Sequence, residues 1–599
     1  MSALASLVAF PVAALTVAGG LRSFLARRLV NSGGRERWTD RPAPLLGGPA
    51  ILAGLLAAAG VAVATGAVDA TRELGGIIGG CVVVFAVGLV DDLWGLPPLV
   101  KVAGQVGAAG VVVASGLSVQ LVSNDVVADA MAVVWLVGIT NAFNLLDNID
   151  GLAATLAAIA AGYFAIDAVT QHPSHTTLLI ALALALGCAG FLPFNLRPNR
   201  PAAAFLGDSG SHLLGFGLAS LGLASSWKAA GTGVAAIFLP ILVLALPILD
   251  TALVTLVRLV EGRPIYRGGR DHTSHRLVYR GLSEKRAVVL LAFVAAAVGA
   301  TSLVYTIFAN TAVTAIGILL TFAALVQFGA FLGDVERDPA AARRTAFTLR
   351  TRRLVEVAVD AALITAAFGS AYLLLVGGAG TAYQRGLFLY ALPAVLAARF
   401  AAFVGFGLYR GVWRYAGARE AAAIVGAVVV SDAAAFAFVA ATQELATFPR
   451  SVFVVDALIC IPLVVGSRFA ERALFRTMTT LRGRSGRRRT LIVGAGRSGR
   501  SLMRELRETP GEHVVGFVDD DPVLQRRRLQ GAPVFGRLDE IGRSVGLAQP
   551  DVVLVTIPNA PRERLDLVVE ACGRAQVPCR FVRRELDLDP HSVLEATAK

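Results

Sequence analysis

Four short stretches of this chain concentrate side chains that can handle phosphate, metal ions or protons. The first is GLVDDLWGLPPLVKVAGQ, residues 88–105, where Asp91 and Asp92 are adjacent and Lys101 and Gln105 lie four residues apart on one face of a helix. Neighbouring carboxylates suit a divalent cation or the acceptance of a proton, and a lysine beside them neutralises phosphate. A plain helix cap is the bland alternative for an Asp-Asp pair. Lys101 argues against it, because the chain has only four lysines among 55 basic residues. The second stretch, NAFNLLDNIDGLAA (141–154), holds Asn141, Asn144, Asp147, Asn148 and Asp150, more amide and carboxylate groups than one cap requires. In the third, FLGDSGSHLLGF (205–216), Asp208 sits among Gly207, Ser209, Gly210 and Ser211, so small residues let backbone amides and a carboxylate approach a phosphate or its metal; an N-cap with a glycine turn is the competing reading. The fourth, GRPIYRGGRDHTSHRL (262–277), puts His272 and His275 beside Arg270, Asp271 and Arg276. Zinc would want more imidazole or thiolate ligands, so this basic loop suits an anion or serves only as a topology signal. Asp250, upstream, either joins this loop or pairs structurally.

The elements that must position these groups are membrane helices. Of 599 residues, 55% are hydrophobic and 16% charged, and the mean hydropathy is +0.66. That excludes a disordered chain, a collagen-like repeat and an ordinary soluble enzyme. The net charge of +13 is explained by arginine at the cytoplasmic ends of spans, so no nucleic-acid partner is expected. The five cysteines have no CxxC spacing that would suggest zinc or a disulfide framework.

Runs of the roughly 20 apolar residues that a bilayer requires occur at 3–21, 45–66, 73–90, 100–117, 129–144, 151–169, 176–194, 211–226, 232–257, 286–307 and 311–333, followed after an arginine-rich break by 354–378, 386–405, 420–441 and 449–467. The first resembles a signal-peptide core but has no basic leader, and is read as a retained span. Arg22, Arg27, Arg28, Arg35, Arg37 and Arg41 crowd the first gap, the ninth gap and the break after residue 333 are equally basic, and the gap 118–128 has no basic residue. The odd gaps are therefore cytoplasmic and the N-terminus lies outside. All four clusters fall on the cytoplasmic side, whereas a proton-coupled transporter would keep its carboxylates near mid-membrane. From residue 488 the strands LIVGAG (491–496), VVGFVDDD (514–521) and VVLVTIP (552–558) alternate with helices, behind a basic hinge, Arg482 to Arg489. The expected fold is a polytopic α-helical membrane protein of eleven plus four spans (1–335 and 336–487) with a C-terminal cytoplasmic α/β Rossmann-like domain (488–599).

In this order and on this number of spans, the clusters resemble the polyprenyl-phosphate N-acetylhexosamine-1-phosphate transferases of glycosyltransferase family 4. That family includes the phospho-N-acetylmuramoyl-pentapeptide transferase and the undecaprenyl-phosphate GlcNAc-1-phosphate transferases. The resemblance implies Mg²⁺-dependent (or Mn²⁺-dependent) transfer of sugar-1-phosphate from a UDP-sugar to the membrane lipid undecaprenyl phosphate at the inner membrane of a bacterial cell, with release of UMP. It implies Asp91, Asp92, Lys101 and Asp208 as catalytic, Asp208 and Asp92 as metal ligands, and Asn144, Asp147, Asp150, His272, His275 and Arg276 as substrate-binding. The family's HxHH is here His272-Thr273-Ser274-His275, Ala203 replaces a basic residue before FxGD with Arg200 nearby, and Asn148 stands where glycine is common. The histidine change argues against the peptidoglycan enzyme and leaves the GlcNAc branch preferred, with transfer from another UDP-amino sugar or of phospho-MurNAc-pentapeptide as the alternative.

The second half, with FGLYRGVWRYAGARE (406–420), TLIVGAGRSGRSLMREL (490–506) and VVGFVDDDP (514–522), resembles the N-terminal membrane and nucleotide-binding region of polysaccharide-biosynthesis nucleotide-sugar dehydratases. Gly494, Gly496 and Gly499 form GxGxxG, and Asp519 or Asp520 follows at the interval that dinucleotide binding wants. A nucleotide or dinucleotide in this domain and a ligand-free docking role both fit. No Tyr-x-x-x-Lys pair follows, so a complete dehydratase is not expected. A homodimer and polysaccharide-assembly proteins are the partner classes left open, and a nucleotide-sensing scaffold is the reading from another class.

Overall fold

A computed structural model describes residues 1–23, 30–31, 42–120, 122, 124–198, 200–225, 234–261, 263–264, 269–308, 311–333, 345–377, 381–409, 418–443, 449–481, 488–508, 512–525, 527–529, 531–557 and 561–582. Arg27, Arg28, Arg35, Arg37 and Arg41 of the first basic gap, Arg267, Arg337, Arg343 and Arg344, residues 410–417 of the 406–420 motif and residues 482–487 of the basic hinge lie outside the described residues. The chain divides into two compact units, Met1–Leu481 and Arg482–Lys599.

Every apolar run becomes a helix or a pair of helices. Among the described residues, twelve helices are long and apolar enough to cross a bilayer, which makes this a multi-pass membrane protein. Three expected spans do not meet that description as single helices. Pro98–Ala114 is 17 residues long, and Gly207–Ala224 is rich in glycine and serine. The ninth run is not one span but two helices, Val234–Val243 and Ala245–Glu261. Pro247 lacks the N–H that would bond Val243, and its ring crowds that carbonyl, so the helix breaks at the residue between. Pro11 similarly divides the first run into Ser2–Ser6 and Ala9–Arg22.

Gly207–Ala224 packs against helices Gly47–Ala64, Arg72–Trp94, Asp125–Leu146, Leu152–Thr170 and His175–Asn195, and every one of its residues except Asp208 is buried. A helix enclosed on all sides needs no amphipathic stripe, and its small residues let neighbours approach closely. Its start is tied down by strand pairing. Strands β1 (Val30–Asn31) and β2 (Ala43–Pro44) are antiparallel, and Leu45 bridges to Phe205. The amides of Gly47 and Gly48 donate to the carbonyls of Phe205 (3.0 Å) and Leu206 (3.1 Å), which occupies two of the orphan donors of helix Gly47–Ala64.

The next four helices, Thr345–Val376, Ala382–Gly405, Ala418–Thr442 and Ser451–Leu481, enclose charge. Arg399 is fully buried and donates to Asp432 (2.5 Å), Asp456 (2.8 Å) and the Cys460 sulfur (2.6 Å). Arg468 pairs with Asp360, which also accepts from the Tyr409 hydroxyl at 2.8 Å. Ser467 Oγ donates to Gln327 at 3.1 Å, joining this group to helix Thr311–Gly333.

The second unit is an α/β domain whose sheet has the order β4-β3-β7-β8, with β3 (Arg488–Val493), β4 (Glu512–Val518), β7 (Val552–Val555) and β8 (Cys579–Phe581) all parallel. A short antiparallel pair, β5 (Arg528–Leu529) and β6 (Ala532–Pro533), lies between β4 and β7 in the chain. Leu491 and Val493 of β3 join one apolar cluster and Ile492 joins another, so both faces are covered and the strand reads as an unbroken apolar run.

Candidate active site

The site begins where helix Arg72–Trp94 ends. The Leu96 amide donates to Asp91 Oδ1 at 2.6 Å, and Pro98 opens the following helix, so its first turn brings Lys101 back onto Asp91. Adjacent helical residues point about 100° apart, which gives the two aspartates different partners. Asp91 pairs with Lys101. Asp92 turns to helix Gly207–Ala224, where Oδ1 accepts from the Asp208 amide (2.9 Å) and Oδ2 from the Ser209 amide (3.0 Å) and hydroxyl (2.8 Å). It therefore caps that helix from another, satisfying its N-terminal donors and facing the positive end of its dipole. Gly88, one turn earlier, makes the approach: a Cβ there would stand 2.6 Å from the Ser209 backbone.

Lys101 completes the group by donating to Asp208 Oδ2 at 3.2 Å while paired with Asp91. The side chain of Asp91 is 5% exposed and that of Asp208 33%, so Asp208 is the more accessible of the two carboxylates. The first and third clusters thus become one. Asn144 of the second joins them, its amide donating to Ser211 Oγ at 3.1 Å. Asn148 accepts from Ser274 Oγ at 2.5 Å, which links the second cluster to the fourth. Asp147 ends helix Asp125–Leu146. Asp150 lies in a cleft of about 460 Å³ lined also by Asn195, Arg197, Arg200, Glu284 and Lys285.

The fourth cluster is held from below. Asp250 accepts from His272 Nδ1 (2.8 Å) and the Thr273 amide (2.6 Å), so it belongs with the loop. Arg258 grips Asp271 with two bonds, at 3.1 and 2.8 Å, and Arg276 Nε donates to the Asp271 carbonyl at 2.8 Å. Arg276 is buried, and its guanidinium also reaches the Leu332 carbonyl at 3.2 Å, so it braces the loop. Burial, then the neighbouring His272, pushes the His275 pKa down to about 4. The unfolded chain takes up a proton there below about pH 6.5 while the folded chain does not. This group therefore withdraws stability as pH falls from about 6.5 to about 4. His275→Asn should flatten the fall in melting temperature between pH 7 and pH 5, and an unchanged slope would contradict this.

Sequence reasoning did not single out Arg258 or His212. In the sequence Arg258 reads as one more topology arginine, and the only signal for His212 is a histidine one turn beyond Asp208.

In the second unit, β3 leads through Gly494, Ala495 and Gly496 into helix Arg497–Glu508, beside the crevice between β3 and β7 where the sheet changes winding direction. Gly499 is required by contact, since a Cβ there would lie 1.9 Å from the Gly494 carbonyl. Asp519 is committed to the loop itself: Oδ2 accepts from the Ala495 amide (2.5 Å) and Oδ1 from the Asp521 amide (2.9 Å). Asp520 accepts from the Leu538 amide at 2.9 Å and pairs with Arg564.

Comparison with known proteins bears on both parts. Residues 74–226 match the model of glycosyl transferase family 4, and residues 405–582 match that of a CoA-binding domain, a span running from the last membrane helices through β8. A probable undecaprenyl-phosphate N-acetylglucosaminyl 1-phosphate transferase of Bacillus subtilis is 33% identical over 263 residues, covering 42% of this chain and 70% of that protein. A decaprenyl-phosphate N-acetylglucosaminephosphotransferase of Mycobacterium leprae is 34% identical over 321 residues, 48% of this chain and 80% of the relative. A phospho-N-acetylmuramoyl-pentapeptide-transferase of Lactiplantibacillus plantarum is 41% identical, but over 92 residues, 15% of this chain and 27% of its own. A family model that spans the helices carrying Asp91, Lys101 and Asp208, and relatives followed over most of their length, establish that the chain belongs to glycosyl transferase family 4 as a membrane-embedded transferase.

Proposed function

We propose that residues 1–335 transfer N-acetylhexosamine-1-phosphate, preferentially GlcNAc-1-phosphate, from a UDP-sugar to undecaprenyl phosphate, releasing UMP and starting a lipid-linked cell-surface glycan. The observation that carries this reading is the convergence of Asp91, Lys101 and Asp208 at the ends of membrane helices. The names of the relatives from Bacillus and Mycobacterium support a polyprenyl-phosphate acceptor and an amino-sugar phosphate donor. The arginine pattern supports a cytoplasmic site, with the N-terminus outside.

Attack of one phosphate on a pyrophosphate sets anion against anion, so the site must screen charge. Among the described residues no three His, Cys, Asp or Glu side chains form a metal cage. Two carboxylates, those of Asp91 and Asp208, converge on one cationic point now held by the Lys101 ammonium. That donor set fits Mg²⁺, which takes one or two carboxylates together with substrate phosphates and retained water. Asp208, the more exposed, would hold the ion, with Asp92 fixing the helix end that carries it. Mg²⁺, when bound, supplies charge neutralisation on the pyrophosphate oxygens.

Lys101 balances the acceptor phosphate. Asp91 orients that phosphate or takes its proton, and a phosphate oxygen bonds to the sugar-bearing phosphorus while the bond to UMP breaks. Asn144, Asp147 and Asp150 hold the nucleotide, with Arg197, Arg200 and Lys285 lending positive charge to the cleft, and the His272–Arg276 loop closes over the donor. The Gly494–Gly499 loop of the second unit holds a nucleotide through backbone amides, since Asp519 is already occupied.

The test uses the purified full chain, undecaprenyl phosphate, Mg²⁺ and a panel of UDP-sugars, with UMP release as readout. UDP-GlcNAc should support turnover. Absence of UMP with every donor overturns the reading.

A further inference from the structure

Beneath the Lys101–Asp208 pair lies a second polar rung. On helix Pro98–Ala114, Gln105 follows Lys101 by four residues, and on helix Gly207–Ala224, His212 follows Asp208 by four, so each pair shares a face. Lys101 meets Asp208 at 3.2 Å, and Gln105 Nε2 meets His212 Nε2 at 3.4 Å. Both Gln105 and His212 are fully buried.

The orientation of every group in this rung follows from one backbone carbonyl. Asn141 Nδ2 donates to the Val137 carbonyl at 2.8 Å and to Gln105 Oε1 at 2.7 Å. The amide of Gln105 must therefore turn Nε2 toward Asn141 Oδ1 (3.4 Å) and His212. His212 Nε2 then accepts, so its proton sits on Nδ1 and the ring is neutral. That Nδ1 has no hydrogen-bond partner among the described residues. A position needed only for packing would avoid the unpaired buried donor with leucine; a histidine retained there serves the bond on its other nitrogen.

We propose that His212, oriented by Gln105 and Asn141, is a positioning residue for the transfer reaction: it locks the two helices in the register that keeps Lys101 against Asp208. This rests on the proposed transferase reading for its effect on turnover, but not for its effect on Lys101.

The chain's four lysines, at 101, 228, 285 and 599, give separable peptides, so the reactivity of each amine to reductive methylation can be followed by mass spectrometry in the detergent-solubilised full chain. His212→Leu should raise Lys101 labelling several-fold relative to Lys599 and lower kcat for UMP release about 10- to 100-fold with little change in KM. Gln105→Leu, which removes the donor from the other helix, should do the same. His212→Gln, whose side-chain carbonyl can stand where Nε2 stood, should restore both readouts, whereas His212→Asn, which mimics Nδ1, should not. The proposal is overturned if His212→Leu and Gln105→Leu leave Lys101 labelling and kcat at the wild-type level, or if His212→Gln is as impaired as His212→Leu. A wild-type chain that releases no UMP would refute the transferase reading, while the labelling pattern would still decide the positioning role.

Discussion

Asp208→Asn is expected to lower UMP release by roughly 10²–10³-fold, the scale on which removal of one preorganised charge-stabilising group slows an enzyme. The asparagine keeps the size of the side chain but cannot neutralise Lys101 or a divalent cation. Lys101 then has Asp91 alone as its anionic partner, and the ammonium shifts toward it and away from the incoming phosphate. The amide of residue 208 still donates to Asp92 in the variant, so the helix start keeps its cap and the melting temperature in detergent should barely change. Raising Mg²⁺ should recover activity only in part, because the deficit lies in the ligand's charge as well as in site occupancy. A fully active variant would show that Asp208 does not hold the cation. A variant with lost activity and a collapsed melting temperature would make Asp208 a structural residue.

Arg399→Met is the variant with the largest expected effect on stability. It removes the guanidinium that Asp432 and Asp456 share and leaves two carboxylates facing each other among membrane helices. Breaking a buried ion pair by deleting one partner costs about 3–5 kcal/mol, because the remaining charge has neither water nor a counterion. The full chain should melt well below wild type in detergent and accumulate poorly in membranes. The triple variant Arg399→Met, Asp432→Asn, Asp456→Asn should recover much of the loss, since a neutral set does not carry that penalty. Wild-type stability for the single variant would mean that the cluster is solvated and not a structural pin.

The two predictions concern residues of very different legibility. Asp208 stood out because small polar residues surround it in an apolar chain. Arg399 lies in ALPAVLAARFAAF, where a single arginine near the end of a run reads as a topology signal; only the packing of three helices brings it to Asp432, Asp456 and Cys460. The same holds for Arg258, which looks like loop charge and is in fact a buried clamp on Asp271.

The sequence by itself determined that this is a multi-pass membrane protein with an α/β unit at its end, and which stretches carry its chemistry. Hydrophobic run length and charge scarcity are properties of composition along the chain, and a bilayer reads them directly. Only the tertiary structure decided what each member of a cluster does. Asp91 and Asp92 are indistinguishable as letters, yet the roughly 100° step between adjacent helical residues sends the first to Lys101 and the second to cap a helix 116 residues away. Asp519 has the spacing of a ribose ligand, and the fold turns it onto its own glycine loop. Direction and distance across the fold are set by helix packing and by where a glycine such as Gly88 permits close approach, and neither is a property of any local stretch of residues.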